Sequence, residues 1–229
     1  MRAKDQQLLY EHTPIIPHLE VVKLSKIKRA IALLPRSRRP LRVLDVACND
    51  GFHASLFPGP DFDYYGVDII RVKKGNPLAG RIKQADITLG FPYKDNMFDV
   101  ILASEILEHV FDTDFMVAEC SRVLKKGGTL ILTTPNTVPL HARFMSLLGA
   151  RPYSVDARVL LAVTPGHIRA FILKDIREIF SDNGFRIDRV FGLDVPFVPG
   201  GVWIANHFPT ISSGFIVKAT NIKTRMKAR

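Results

Sequence analysis

The sequence predicts an α/β protein: an open, mostly parallel sheet with helices on both faces. Two observations carry this. From Leu41 onward, seven short β-rich runs alternate with helical patterns, the order that builds parallel sheets. The last two runs are joined by residues 193–214, rich in Gly and Pro and without helical periodicity, so the seventh strand is expected to return antiparallel. A third observation bounds the domain count. A chain of 229 residues that is 47% hydrophobic and 24% charged buries one sizeable core, giving one domain with appendages.

The elements follow in order. Residues 14–34 read as a helical region, with Ile16, Leu19, Val22, Leu24, Ile27 and Ile31 at mostly three- and four-residue steps until Pro35 and the basic SRRP stop it. Residues 1–40 thus form a basic helical lead-in. The β-rich runs are 42–46, 64–68, 81–86, 98–104, 128–135, 185–192 and 215–220, and they define a domain over 41–220. Between them, FHASLF, EILEHV with DFMVAECSRVLKK, and LKDIREIFSDNG are expected to be helical, the last stopped by Gly184. Residues 136–170 fall outside this rhythm, at the place of a substrate insert, and 193–214 could supply a second pocket wall. A basic tail, 221–229, ends the chain.

The net charge of +10 is unevenly placed. Residues 1–42 hold ten Lys/Arg against three Asp/Glu, residues 218–229 hold five against none, and the middle is near neutral. Basic arms on a neutral body suit RNA, a phosphorylated substrate or a membrane surface, and equally suit solvated ends that aid solubility. No apolar run is long enough to span a bilayer, and MRAKDQQ lacks a signal-peptide core, which predicts a cytoplasmic protein. Cys48 and Cys120 have neither CxxC spacing nor partners enough for a zinc site.

The turn after the first strand, in LRVLDVACNDGFHASLF, lies where parallel sheets bind ligands. A dinucleotide fingerprint would need small residues at 47, 49 and 52, and Phe52 breaks it, which sets a nicotinamide oxidoreductase aside. Read as D-x-G-x-G-x-G, the positions are Asp45, Ala47, Asn49 and Gly51, and the loop resembles that of the class I S-adenosylmethionine (SAM) methyltransferases. Two of three glycines are replaced, but Asn readily takes positive φ and can keep the bend. Further stretches resemble the same family in order: YYGVD, RIKQADI, FPYKDNMFDVILASEILEHV, LKKGGTLILTTPN and HIRAFILKDIREIFSDNGFRI. The resemblance covers about residues 41–220 and implies a Rossmann-like class I methyltransferase fold that binds S-adenosyl-L-methionine.

It also implies roles. Asp45 and the loop backbone at Ala47, Asn49 and Gly51 would face the methionine amino and carboxylate groups, with Phe52 starting the next helix. Asp68 and Ile69 would take the ribose and adenine edge, Asp86 and Ile87 the adenine, and Ser104 would lie near the methionine portion or the sulfonium.

Methyl transfer to a hydroxyl needs an in-line nucleophile, exclusion of water and removal of a proton. If a helix begins at Glu105, then Glu105, Glu108 and His109 share one face and could bind a divalent cation such as Mg2+. A hydroxyl bound to that cation would be activated. The S-E-x-x-E-H pattern is similar to that of ubiquinone-biosynthesis O-methyltransferases and small-RNA 2′-O-methyltransferases, which implies metal-assisted O-methylation. His167 is then a fourth ligand or a general base. Acids in a helix's first turn are also favoured by its dipole, and His109 also fits an ordinary helix-face histidine. His141, Arg143, Arg151 and Arg169 are further pocket or anion-binding candidates, and Tyr10 a candidate cover for the cofactor.

The fourth strand ends in ASEI, without the Pro-Pro-aromatic or Pro-Cys motifs of base-modifying methyltransferases. The expected function is therefore SAM-dependent O-methylation of a small-molecule, glycan or lipid-linked acceptor entering between 136–170 and 193–214. An RNA-directed 2′-O-methyltransferase and a degenerate, non-catalytic SAM-binding protein are the alternatives. Peripheral membrane contact and a homodimer formed through aromatic residues of the inserts also fit.

Overall fold

The computed structural model describes residues 17–150 and 167–223, and in the first helix the side chains from Val21 onward. Arg151 and Tyr10 lie outside the described residues. The seven strands form one sheet in the order β3-β2-β1-β4-β5-β7-β6. They are β1 Leu41–Val46, β2 Phe62–Asp68, β3 Ile82–Gln84, β4 Phe98–Ser104, β5 Leu124–Pro135, β6 Phe185–Gly192 and β7 Gly214–Asn221. Pairs among β1 to β5 are parallel, and β7 runs antiparallel to both β5 and β6, as the Gly/Pro-rich connection predicts.

Side-chain alternation along the strands feeds two cores. Leu44, Ile101 and Leu130 point to the face covered by α2 (Thr113–Val123) and α4 (Leu173–Asp182), through Met116, Val117, Ile176 and Phe180. Val43, Leu102 and Ile131 point to the other face, where α1 (Pro17–Ala32) lays down Ile27 and Ala30. The lead-in helix is therefore part of the domain's core. Lys26 fixes it further: its buried ammonium donates to the carbonyls of Gly192 and Leu193 at the end of β6. Burial pulls the Lys26 pKa down to about 8.

The structure differs from the expected helices at four places. FHASLF forms only a 3-10 turn, Ala54–Leu56, because Pro58 disfavours helix at Phe57 and Pro60 follows at once. EILEHV forms only a 3-10 turn, Leu107–His109. In the insert and in the β6–β7 connection, α3 (Leu140–Leu147) and α5 (Gly201–His207) appear where no period was legible. Elsewhere the limits shift little, though β5 begins earlier, at Leu124, and β3 is shorter. No described helix is long and apolar enough to cross a membrane.

Asp99, at the start of β4, collects the basic linker ahead of β1. It accepts from Arg39 at 2.6 and 3.0 Å, from Lys125 at 2.9 Å and from the Arg42 amide at 3.0 Å. Burial alone would raise its pKa, but these donors hold it down at about 2. A depressed folded-state pKa stabilises the fold above the unfolded value near 4 and loses that contribution as pH falls through about 2. Asp99→Asn is therefore expected to flatten the acid limb of stability between about pH 4 and pH 2 in urea melts. An unchanged acid limb would show that the clamp contributes nothing.

Candidate active site

The loop after β1 sits at the carboxyl end of the sheet and is shaped by three positive φ angles: Ala47 at 58°, Asn49 at 49° and Gly51 at 90°. These are the three glycine positions of the D-x-G-x-G-x-G reading, so the bend survives both replacements. At Gly51 the space is also closed, since a Cβ would stand 2.5 Å from Leu78 Cδ1. Alanine is strained at φ 58°, and Ala47→Gly is expected to stabilise the protein by about 1 kcal/mol. Thermal melting should then rise by roughly 2–4 °C. A fall would mean that the Ala47 methyl contributes packing worth more than the strain.

Beneath the loop, Asp45 is fully buried. Its Oδ2 accepts from the Tyr64 hydroxyl at 2.7 Å and lies 3.3 Å from His53 Nδ1, while Oδ1 has no partner. Burial and the adjacent Asp45 charge push the Tyr64 hydroxyl far up, so it stays a donor. Asp68, at the end of β2, is also buried and takes the Asn49 amide at 2.7 Å and the Ile70 amide at 2.9 Å. Burial pushes its carboxyl above the usual range against those two amides. One carboxylate thus ties the β1 loop to the β2 loop, and the Ile69 amide adds a further donor to it.

The remaining cofactor candidates lie along the same edge. Ile69 is half-buried, Asp86 caps the 3-10 turn Ile87–Leu89 through the Thr88 amide at 2.9 Å, and Ile87 is buried. Ser104 ends β4 with its hydroxyl 3.0 Å from Thr133 Oγ1. Phe52 is 61% exposed beside the 3-10 turn and starts no helix.

Beyond Ser104 the arrangement departs from the helical reading. Glu105 takes a left-handed φ of 52°, with its amide bonded to the Thr133 carbonyl and its Oε1 accepting from Thr133 Oγ1 at 2.7 Å. That clamp removes Glu105 from any helix and from the cluster that follows. Glu108, His109 and His167 instead offer ligand atoms all within 4.8 Å of one another. The backbone brings them together, because the Ile168 and Arg169 amides both donate to the Glu108 carbonyl, at 3.0 and 3.2 Å.

Within the cluster, Glu108 Oε2 accepts from Thr134 at 3.0 Å, while Oε1 is buried without a hydrogen bond, 3.9 Å from His167 Nε2. Burial, and then the Glu105 charge, push the Glu108 carboxyl well above its usual range. Burial, and then His109, pull His167 down to about 4, so its imidazole is neutral near pH 7. The two histidine rings meet edge to face at 4.8 Å between centroids.

The other candidates are structural or peripheral. The Arg143 guanidinium donates to the Val138 and Thr210 carbonyls, and Arg169 to the Phe111 carbonyl while lying over the Phe111 ring. His141 is half-buried, its pKa lowered by burial, and its ring faces Phe197. Sequence reasoning missed Tyr64, Thr133 and Thr134, strand residues that carry no local mark of a polar partner, and His53, whose approach to Asp45 depends on the loop's bend.

A family model described as a methyltransferase domain matches residues 20–190. The ubiquinone biosynthesis O-methyltransferase of Mesorhizobium japonicum is 32% identical over 143 residues, which is 56% of this chain and 57% of that protein. A probable S-adenosylmethionine-dependent methyltransferase of Mycolicibacterium smegmatis is 25% identical over 155 residues, 66% of this chain and 54% of that one. The chain spans little more than half the length of these curated relatives. Among solved structures, the 1,6-didemethyltoxoflavin-N1-methyltransferase of Burkholderia thailandensis matches with a TM-score of 0.60 at 12% identity, over 96% of this chain and 84% of that one. A SAM dependent methyltransferase from Archaeoglobus fulgidus matches with a TM-score of 0.58 at 17% identity, over 88% of this chain and 94% of that one. Those two likenesses show the fold. Together with the family match over residues 20–190 and the bent loop above Asp45 and Asp68, they establish that the chain belongs to the methyltransferase domain family, of the class I SAM-dependent fold.

Proposed function

We propose that the protein is a SAM-dependent O-methyltransferase whose acceptor is a small, glycan or lipid-linked hydroxyl compound. The observation that carries the oxygen assignment is the Glu108, His109 and His167 cluster just beyond Ser104, at the carboxyl edge of the sheet.

The loop fits the methyl donor. It keeps its bend at Ala47 and Asn49, and it rests on two buried acids, Asp45 having one oxygen without a partner, which argues against a degenerate, non-binding loop. Bound there, the cofactor supplies a methyl group already activated on sulfur. The chain's own part is to hold it. Asp68 offers its carboxylate to the ribose hydroxyls, Ile69 and Ile87 offer apolar surface to the adenine, and the loop amides face the methionine end.

The cluster fits a divalent cation. A carboxylate oxygen buried without a hydrogen bond and a neutral imidazole nitrogen are acceptors in need of a positive centre. Ligand bonds of about 2.1 Å set neighbouring donors roughly 3–3.5 Å apart, so the three groups would close by about an ångström. A cation held by Glu108, His109 and His167 would lower the pKa of an acceptor hydroxyl beside it. Thr134 fixes the Glu108 rotamer from behind, and the backbone bonds from 168 and 169 hold His167 opposite.

This predicts cation binding with a distinctive accompaniment. Titration with Mn2+ or Mg2+ should release protons, because Glu108 must ionise to coordinate. Calorimetry in buffers of different ionisation enthalpy measures this. Binding without proton release, or no binding in both wild type and a SAM-loaded sample, would overturn the metal-assisted reading.

A further inference from the structure

At the opposite end of the sheet from the cofactor residues, a groove of about 880 Å³ opens between the amino end of β1 and the edge strand β3. Arg42, Arg81, Lys83, Lys94 and Arg122 line it. Its walls are built rather than incidental. Lys83 lies 4.6 Å over the Tyr93 ring and donates to the Pro92 carbonyl at 2.8 Å, and Arg81 lies 5.5 Å over Tyr65. Three of the five cations have carboxylate partners: Arg42 and Arg81 share Asp63, and Arg122 holds Asp95 and Glu119. Among the described residues, Lys83 and Lys94 have none.

The topology extends this groove into a basic track. β1 starts where β7 ends, because β7 alone among the neighbours of β5 runs antiparallel. The exposed linker of Arg36, Arg38 and Arg39 therefore enters at the rim, tied by Asp99 beside Arg42. Lys223 Nζ also reaches this rim, bonding the Arg122 carbonyl at 2.9 Å, the Leu124 carbonyl at 3.2 Å and Asn96 Oδ1 at 3.4 Å, and Arg122 and Asn96 line the groove. The two ends of the domain, separate in sequence, meet at one face.

We propose that the groove and its basic rim dock a single-stranded nucleic acid through its phosphodiester backbone, at the end of the sheet away from methyl transfer. Charge complementarity selects a polyanion, and length selects a chain over a single nucleotide, since the cations continue past the groove along the exposed linker of Arg36 and Arg38. Shape selects a strand over a bilayer. The face is concave, and none of its lining residues is an exposed large apolar side chain that could insert into lipid. The aromatic walls are buried or covered by cations, so contact is with phosphates and carries little sequence preference.

The test is fluorescence anisotropy of the full chain with a labelled oligouridylate of about 20 nucleotides. Four phosphate contacts predict that affinity falls about 50-fold between roughly 50 and 200 mM salt. The double variant Lys83→Glu, Lys94→Glu should weaken binding at least tenfold at the lower salt and reduce the salt slope by about 1.4. Its affinity for SAM should be unchanged, which also reports that it folds. The proposal is overturned if the oligonucleotide does not bind at low salt, if the double variant binds as well as wild type, or if only vesicles containing phosphatidylserine are bound.

Discussion

Asp68→Ala is expected to weaken SAM binding by about 100-fold or more, with SAM-dependent turnover falling in parallel. On the proposed reading Asp68 accepts both ribose hydroxyls, and each hydrogen bond to a charged acceptor is worth about 1.5–3 kcal/mol. The variant also frees the Asn49 and Ile70 amides, which loosens the bent loop after β1. The two contributions are separable. Asp68→Asn keeps one carbonyl oxygen and a similar volume, so it should hold more of the fold's stability than of the affinity. Calorimetric Kd values beside urea midpoints read both. A variant that melts early but binds SAM as tightly as wild type would assign Asp68 to loop structure alone.

If Glu108 is the charged ligand of the proposed cation, Glu108→Gln is expected to lower turnover by roughly a thousandfold and to leave SAM affinity unchanged. Glutamine keeps the volume and can still accept from Thr134, while removing a carboxyl that burial and Glu105 already disfavour as an anion. Its melting temperature should therefore hold or rise. Proton release on adding Mn2+ should disappear with the carboxyl. His167→Ala should share the loss of turnover, whereas Glu105→Gln should cost much less, because Thr133 holds Glu105 outside the cluster. Turnover within tenfold of wild type in Glu108→Gln would remove the cluster from the mechanism.

The sheet was legible because its signal is local. Apolar runs that end on Asp45, Asp68 and Ser104 set both the strands and the carboxyl edge, and the β4 and β6 limits agree residue for residue with the runs read from the sequence. The Gly/Pro-rich 193–214 segment announced the reversed last strand, although it hid the short helix α5. The three-glycine spacing located the bent loop even with Ala47 and Asn49 in it, since what the positions share is a positive φ.

What failed was helical geometry at SEILEH. A period of 3.6 put Glu105, Glu108 and His109 on one face, but β5 lies beside that turn, and Thr133 captures Glu105 while Thr134 captures Glu108. Tertiary hydrogen bonds outweighed the local period. His167 lies beside Glu108 and His109 because its neighbours' amides bond to the Glu108 carbonyl, a bridge with no signal in the sequence. The basic groove was invisible for a related reason. Its cations are scattered from Arg42 to Arg122, and only the parallel order of β3, β2, β1 and β4 collects them.

The most direct test of the central claim is calorimetric titration of the wild-type protein with SAM. Saturable binding at micromolar Kd, displaced by the demethylated product S-adenosylhomocysteine, is the predicted result. No heat and no thermal stabilisation at millimolar SAM would contradict it, and would mean that the bend above Asp45 and Asp68 holds no methyl donor.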